Sequence, residues 1–283
     1  MFPWLRKKNP TSITLGPVVI YHHIAKTGGT SLRKVVQANY KGKALLEWYG
    51  PNRGSIAWWK HHYHALPPER KAAIQCIAAH SSHYLIPVID RPFRVFTLVR
   101  DPVDRVVSLY YFVRGLAHEG KGKGAEMGLL LERLGWSLND IYRNLDMQKE
   151  ITPERMNLFA PFFNGQSRAI LGPHLDTRKM PFAQAIPDAL IPYQTKLREI
   201  IDAHYELGIT ESYNHSVRYF AQVFGWRRIF FQKKNPTKHR PRLEELSPKL
   251  IETIRAYNAL DEWLHEYARG YLERKLTESL TKS

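Results

Sequence analysis

Two short runs of this chain have the residue types and spacing to grip an anion. The first is His22-His23-Ile24-Ala25-Lys26-Thr27-Gly28-Gly29-Thr30-Ser31-Leu32. Paired glycines permit a tight turn that exposes backbone N–H groups. A helix starting there adds its unpaired first-turn donors and the positive end of its dipole. Thr30 and Ser31 contribute hydroxyls, and Lys26 a full positive charge. Together these make an anion site for a phosphate-like group. The spacing is not that of the ATP-binding loop G-x-x-x-x-G-K-[ST], because Lys26 precedes the glycines. The plainer alternative is a Gly-rich strand-to-helix turn with Ser or Thr as its cap.

The second run is Leu98-Val99-Arg100-Asp101-Pro102-Val103-Asp104-Arg105-Val106-Val107-Ser108-Leu109-Tyr110. Asp101 as N-cap and Pro102 as first helical residue start a helix directly after a strand. Arg100 then stands at the carboxyl end of that strand, where open α/β sheets bind ligands. Ser108 follows about two turns into the helix. A guanidinium with a hydroxyl can hold a second phosphate. The alternative is an Arg100 paired with Asp101 and a Ser108 facing solvent. Two anion sites on neighbouring strand ends suit one ligand with a phosphate at each end of a nucleoside.

The elements that must position these runs are legible as pattern. Val18–Tyr21, Ile74–Ala79 and Val95–Val99 are short apolar runs of the kind found in buried parallel strands. Each leads into a turn and a helix-like segment, which predicts an α/β fold with a mainly parallel sheet. Glu206–Thr210 reads as a further short strand. The second half is mainly helical. Leu197, Ile200, Ile201 and His204 share one face, and Val217, Phe220, Ala221 and Phe224 another. A last helix starts at Ser247-Pro248 and carries Leu250, Ile254, Tyr257, Leu260, Leu264, Tyr267 and Tyr271 as a core stripe. Gly120–Gly124 reads as a flexible basic loop.

Composition bounds the function. Among 283 residues, 42 Lys and Arg against 26 Asp and Glu give a net charge of +16, which points to an anionic partner. A hydrophobic share of 43% excludes a disordered chain. One cysteine, Cys76, excludes an internal disulfide and favours a reducing compartment. No run has the features of a signal peptide or reaches the roughly 18–20 apolar residues of a membrane span. The chain is therefore expected to be a soluble cytoplasmic protein with no transmembrane segment, with peripheral membrane contact left open. No nucleic-acid motif is present, so nucleic acid is not the expected partner.

The run His-Ile-Ala-Lys-Thr-Gly-Gly-Thr-Ser-Leu, followed by Arg-Asp-Pro-Val-Asp-Arg-Val-Val-Ser-Leu-Tyr, resembles the sulfotransferases that use 3′-phosphoadenosine 5′-phosphosulfate (PAPS). The carbohydrate group related to heparan sulfate 2-O-sulfotransferase is the nearest in kind. The resemblance continues more diffusely through Gly208–Asn214, Phe224-Gly225-Trp226 and Asn258-Ala259-Leu260-Asp261. It implies a three-layer sandwich like that of nucleotide kinases, with a helical C-terminal half. It also implies a single domain: an extension at 1–16, a core at 17–272 and a tail at 273–283. Lys26, Thr27, Gly28, Gly29, Thr30 and Ser31 would hold the 5′-phosphosulfate, and Arg100 and Ser108 the 3′-phosphate. Ala25 departs from the proline common in relatives, which makes the turn less rigid without removing a donor.

The same resemblance implies the catalytic groups. The second strand ends in Ala79-His80-Ser81-Ser82-His83, and a histidine at this place serves as general base in the similar glycan enzymes. His80 is the first choice and His83 the reserve; a cationic surround favours the neutral imidazole that a base requires. Lys26 would stabilise charge on the oxygen between phosphorus and sulfur. Sulfuryl transfer by this route releases adenosine 3′,5′-bisphosphate, and no metal ion is expected. Trp58-Trp59-Lys60-His61-His62-Tyr63-His64 mixes aromatic and cationic groups suited to a carbohydrate or glycoconjugate acceptor, or else forms part of the core. Lys238 and Arg240, in the basic run 233–240, would cover the nucleotide, or form an ordinary solvated charge run. The rival functions are a P-loop-type kinase using ATP and Mg²⁺, and a non-catalytic polyanion binder. Oligomeric state is not readable.

Overall fold

The computed structural model describes residues 15–50, 55–118, 122–143, 158–177, 180, 187–230 and 240–281. Within it the chain divides into two compact units. One comprises residues 1–99, 199–233 and 268–283, the other residues 100–198 and 234–267.

The first unit is built on five strands: β1 (Val18–His22), β2 (Leu45–Glu47), β3 (Cys76–Ala79), β4 (Phe93–Val99) and β5 (Tyr205–Ile209). They form one parallel sheet in the order β2-β3-β1-β4-β5. Mainly apolar runs make these strands, since both sheet faces are covered: β3 and β5 are buried at every position. The chain leaves β1 through α1 (Gly29–Asn39) to the edge strand β2, then returns through α2 (Ile56–His64) and α3 (Pro68–Ala73) to β3. Right-handed crossovers taken in opposite directions put these helices on opposite faces of the sheet. Leu32, Val35 and Val36, spaced at three and four, form the buried stripe of α1. All the parallel strands share one carboxyl end, and His22 pairs with Ala79 there. The turn after β1 and the turn after β3 therefore emerge side by side.

The second unit is helical. It includes α4 (Pro102–Leu116), α5 (Lys123–Arg133), α6 (Leu138–Arg143) and the helices Gly165–Leu171 and Pro248–Tyr257. Val103, Val106, Val107, Tyr110 and Val113 of α4 pack with Met127, Leu131, Ile141, Phe159, Phe162, Phe163 and Ile254 in one apolar core. α4 and α5 approach closely because residue 128 is glycine; a Cβ there would lie 2.1 Å from the Val113 carbonyl oxygen.

The structure revises three local readings of the sequence and adds one strand. The expected strand at Ile74 starts at Cys76, because Ile74 closes α3 with its N–H on the Lys71 carbonyl. The short edge strand β2 carried no readable signal. Of the expected loop 120–124, Lys123 and Gly124 lie in α5. The single last helix is two, Pro248–Tyr257 and Ala259–Leu280, separated at Asn258. There the Asn164 side-chain oxygen accepts the N–H groups of Leu260 and Asp261, 2.9 and 3.1 Å away, and caps the second helix.

Candidate functional site

β1 ends in the turn that the sequence singles out, and its backbone is unusual. Lys26 has φ 70° and Gly28 φ 80°, so two of three consecutive residues are left-handed. For a lysine this conformation is uncommon, and it persists only where the surroundings impose it. Thr27, buried between them, is tied at both ends. Its hydroxyl donates to the Ile24 carbonyl at 2.9 Å, and its own carbonyl accepts the Thr210 hydroxyl at 2.7 Å. Gly28 is the N-cap of α1 and supplies no side-chain cap; the Ser31 N–H donates to the Gly28 carbonyl at 3.1 Å, which leaves the Gly29 and Thr30 amides to a ligand or water. Gly29 is required by contact: a Cβ there would lie 2.0 Å from the His23 ring and 2.7 Å from the Tyr21 hydroxyl. Thr30 is exposed, and Ser31 and Lys26 are half-buried.

Beside this turn lies a group of rings. His80, in the turn after β3, places Nδ1 2.8 Å from the His23 main-chain carbonyl. A carbonyl only accepts, so Nδ1 carries the proton and Nε2 of the neutral ring is left as the basic nitrogen. The His80 ring lies 4.2 Å from the His23 ring and 5.2 Å, edge-on, from Tyr49. The Tyr49 hydroxyl meets His23 Nδ1 at 3.2 Å, and the Arg33 guanidinium sits 4.1 Å over the Tyr49 ring while pairing with Glu47 at 2.7 Å. His80 remains exposed at one edge. Surrounding protein nonetheless strips water from its charged form, and with Arg33's charge this lowers its pKa despite the opposing pull of the His23 carbonyl. His23 is held well below the usual histidine range by burial first, then by His80, Arg33 and Lys26. His83 is buried, its ring 4.3 Å from that of the fully buried His22. That location favours His80 over His83 as the group a substrate reaches.

In the second unit, Asp101 caps α4, its carboxylate accepting the Asp104 N–H at 2.8 Å, with Pro102 as the first helical residue. Arg100 does not pair with Asp101; its Nε donates to Asp104 Oδ2 at 2.7 Å. Arg240 pairs with the other oxygen of the same carboxylate. The backbone of Arg100 is clamped by Gln166, whose amide accepts the Arg100 N–H and donates to the Arg100 carbonyl, both at 2.9 Å. Ser108 lies on the buried face of α4, 2% exposed, rather than on an open one. Lys238 lies outside the described residues.

The aromatic run on α2 is divided. Trp59 and Tyr63 are core, with Trp59 Nε1 3.3 Å from the Ser81 hydroxyl next to His80. Trp58 is half-buried and stacks on exposed His62 at 3.9 Å, with Trp48 edge-on at 5.3 Å. Lys60, His61 and His64 face solvent.

Sequence reasoning missed Thr210, Asp104 and Gln166 as supports. Asp104 was within reach, since Arg100 and Asp104 stand four apart at a helix start. Gln166 and Thr210 act over long sequence separations that no local pattern carries. Among the described residues there is no group of three or more His, Cys, Asp or Glu side chains arranged to hold a metal, and no helix long and apolar enough to cross a membrane.

Residues 13–154, which include both candidate anion-binding runs, match the model of the Sulfotransferase family. No curated protein matches the chain.

Proposed function

Because this chain belongs to the Sulfotransferase family, we propose that it transfers a sulfuryl group from PAPS to a hydroxyl of a carbohydrate or glycoconjugate. The observation that carries this reading is the pairing of an uncapped, glycine-built helix start with an adjacent imidazole whose Nδ1 is already committed to a carbonyl. The first suits a phosphosulfate, and the second suits removal of a proton from an acceptor.

In this account the amides of Gly29 and Thr30, with the hydroxyls of Thr30 and Ser31, bind the 5′-phosphosulfate. Lys26 offsets the negative charge that builds on the bridging oxygen as the S–O bond breaks. His80 Nε2 accepts the acceptor's hydroxyl proton as its oxygen attacks sulfur in line. The leaving phosphate departs within adenosine 3′,5′-bisphosphate. Arg100, with Arg240, receives the 3′-phosphate that distinguishes this donor. A sulfuryl group carries less charge than a phosphoryl group, so positioning and these cations can supply the needed stabilisation. The half-exposed Trp58 and Trp48, with Lys60 and His61 nearby in sequence, suit sugar faces and acidic substituents.

The test is incubation of the protein with PAPS and a panel of glycans, with and without EDTA, followed by mass spectrometry. A sulfate-sized gain on a glycan that survives the chelator is expected. Transfer of phosphate from ATP that is abolished by the chelator would overturn the reading in favour of a kinase.

A further inference from the structure

Resting on the reading that Arg100 receives the donor's 3′-phosphate, we propose that Asp104 is a positioning residue that yokes Arg100 and Arg240 into one two-guanidinium clamp and so sets selectivity for 3′-phosphorylated nucleotides.

Each oxygen of the Asp104 carboxylate takes a different arginine: Oδ2 accepts from Arg100 and Oδ1 from Arg240. The three side chains are 13%, 20% and 15% exposed for Arg100, Asp104 and Arg240, so these pairs are far less screened than surface ion pairs. The main chain that carries the carboxylate is anchored, because the Asp104 N–H donates to Asp101 in the first turn of α4. The arginine is held from behind as well. Gln166, fully buried, clamps both backbone groups of Arg100, and its own N–H donates to Asp261 at 3.0 Å. Both ends of Arg100 are therefore constrained before any ligand arrives.

Two guanidiniums side by side repel. Burial and the charge of Arg100 draw the pKa of Arg240 down to about 10, which still leaves it cationic at neutral pH. The carboxylate between them offsets that repulsion and fixes the distance between their planes. Two cations against one anion leave the clamp net positive. The Arg240 Nε–H is buried and has no hydrogen-bond partner among the described residues, a donor that a phosphate oxygen would satisfy. Without the carboxylate, the arginines would keep their charge but lose their shared geometry, and geometry is what a bidentate grip on phosphate depends on. A nucleotide lacking the 3′-phosphate would not feel the loss.

The experiment is calorimetry on the full chain with adenosine 3′,5′-bisphosphate and with AMP. Wild type, Asp104→Asn, Arg240→Ala and the double variant would be compared. Asp104→Asn is expected to weaken the bisphosphate about tenfold and leave AMP unchanged. In the Arg240→Ala background the same change should add little, because the two act as one unit. A wild type that does not discriminate the two nucleotides would overturn the donor reading on which this proposal rests. A discriminating wild type with an equally discriminating Asp104→Asn, or fully additive variants, would overturn the clamp alone. Equal weakening of both nucleotides would mark a merely structural role and also overturn it. Should Asp104→Asn fail to fold, Arg240→Gln decides: it should lose the 3′-selectivity, and retained selectivity contradicts the clamp.

Discussion

The turn after β1 and the start of α4 are both strand-to-helix junctions, yet they are built in opposite ways. At the first, left-handed Lys26 and Gly28 lead into a helix with no side-chain cap. At the second, Asp101 caps the helix, Pro102 contributes no N–H, and the Asp104 N–H is already taken. A helix start left open can offer its own backbone to an anion. One that has satisfied its donors internally must rely on side chains, and here those are Arg100 and Arg240 yoked through Asp104. The first junction also has an imidazole beside it. On the proposed function, the β1 turn performs the chemistry and the α4 junction chooses the donor.

The largest effect should come from His80→Ala. It removes the basic nitrogen but leaves the turn's backbone intact, so kcat should fall by on the order of 10²–10⁴. Affinity for adenosine 3′,5′-bisphosphate, measured on the same preparation, should hold. Unchanged kcat would strip the turn of its chemical role, and lost affinity would blur the division between the junctions.

Gly29→Ala probes the claim that the first junction is made of backbone. The added methyl would meet the His23 ring at 2.0 Å, and overpacking of this kind costs about 1–3 kcal/mol. A lower Tm together with donor affinity reduced about tenfold or more is expected. An Ala variant that binds as well as wild type would show that the amides are not the grip.

The smallest effect concerns acid. Burial above all, then neighbouring histidines, keeps His22 well below the usual histidine range, and His23 is similarly depressed. Both stay neutral in the folded chain while the unfolded chain takes up protons below about pH 6.5. Stability is therefore full above that value and lost as pH falls through it, by at most about 1.4 kcal/mol per pH unit for each histidine. Thermal melts between pH 7 and 5 should show Tm dropping, with a shallower drop in His22→Gln. A slope unchanged by that substitution would remove His22 as a source.

Much of this was legible in the sequence because the signals are local. Val18–Tyr21 and Val95–Val99 announce themselves as apolar runs inside the strands Val18–His22 and Phe93–Val99, and the glycines after Lys26 mark the turn. β2 did not, since three residues with one buried side chain, Leu46, carry no pattern. The break at Asn258 was hidden because Tyr257 and Leu260 keep the helical spacing across it, while its cause, Asn164, lies far away in sequence. The same holds at the site. Lys26 and Arg100 could be picked out from their neighbours. Which carboxylate holds Arg100, and that Gln166 grips its backbone, depend on contacts that only the folded chain brings together.

The proposed function depends most on the donor, and calorimetry of the unmodified protein addresses it directly. Adenosine 3′,5′-bisphosphate should bind at least about ten times more tightly than AMP, a difference of about 1.4 kcal/mol. Equal affinity for the two would contradict the account.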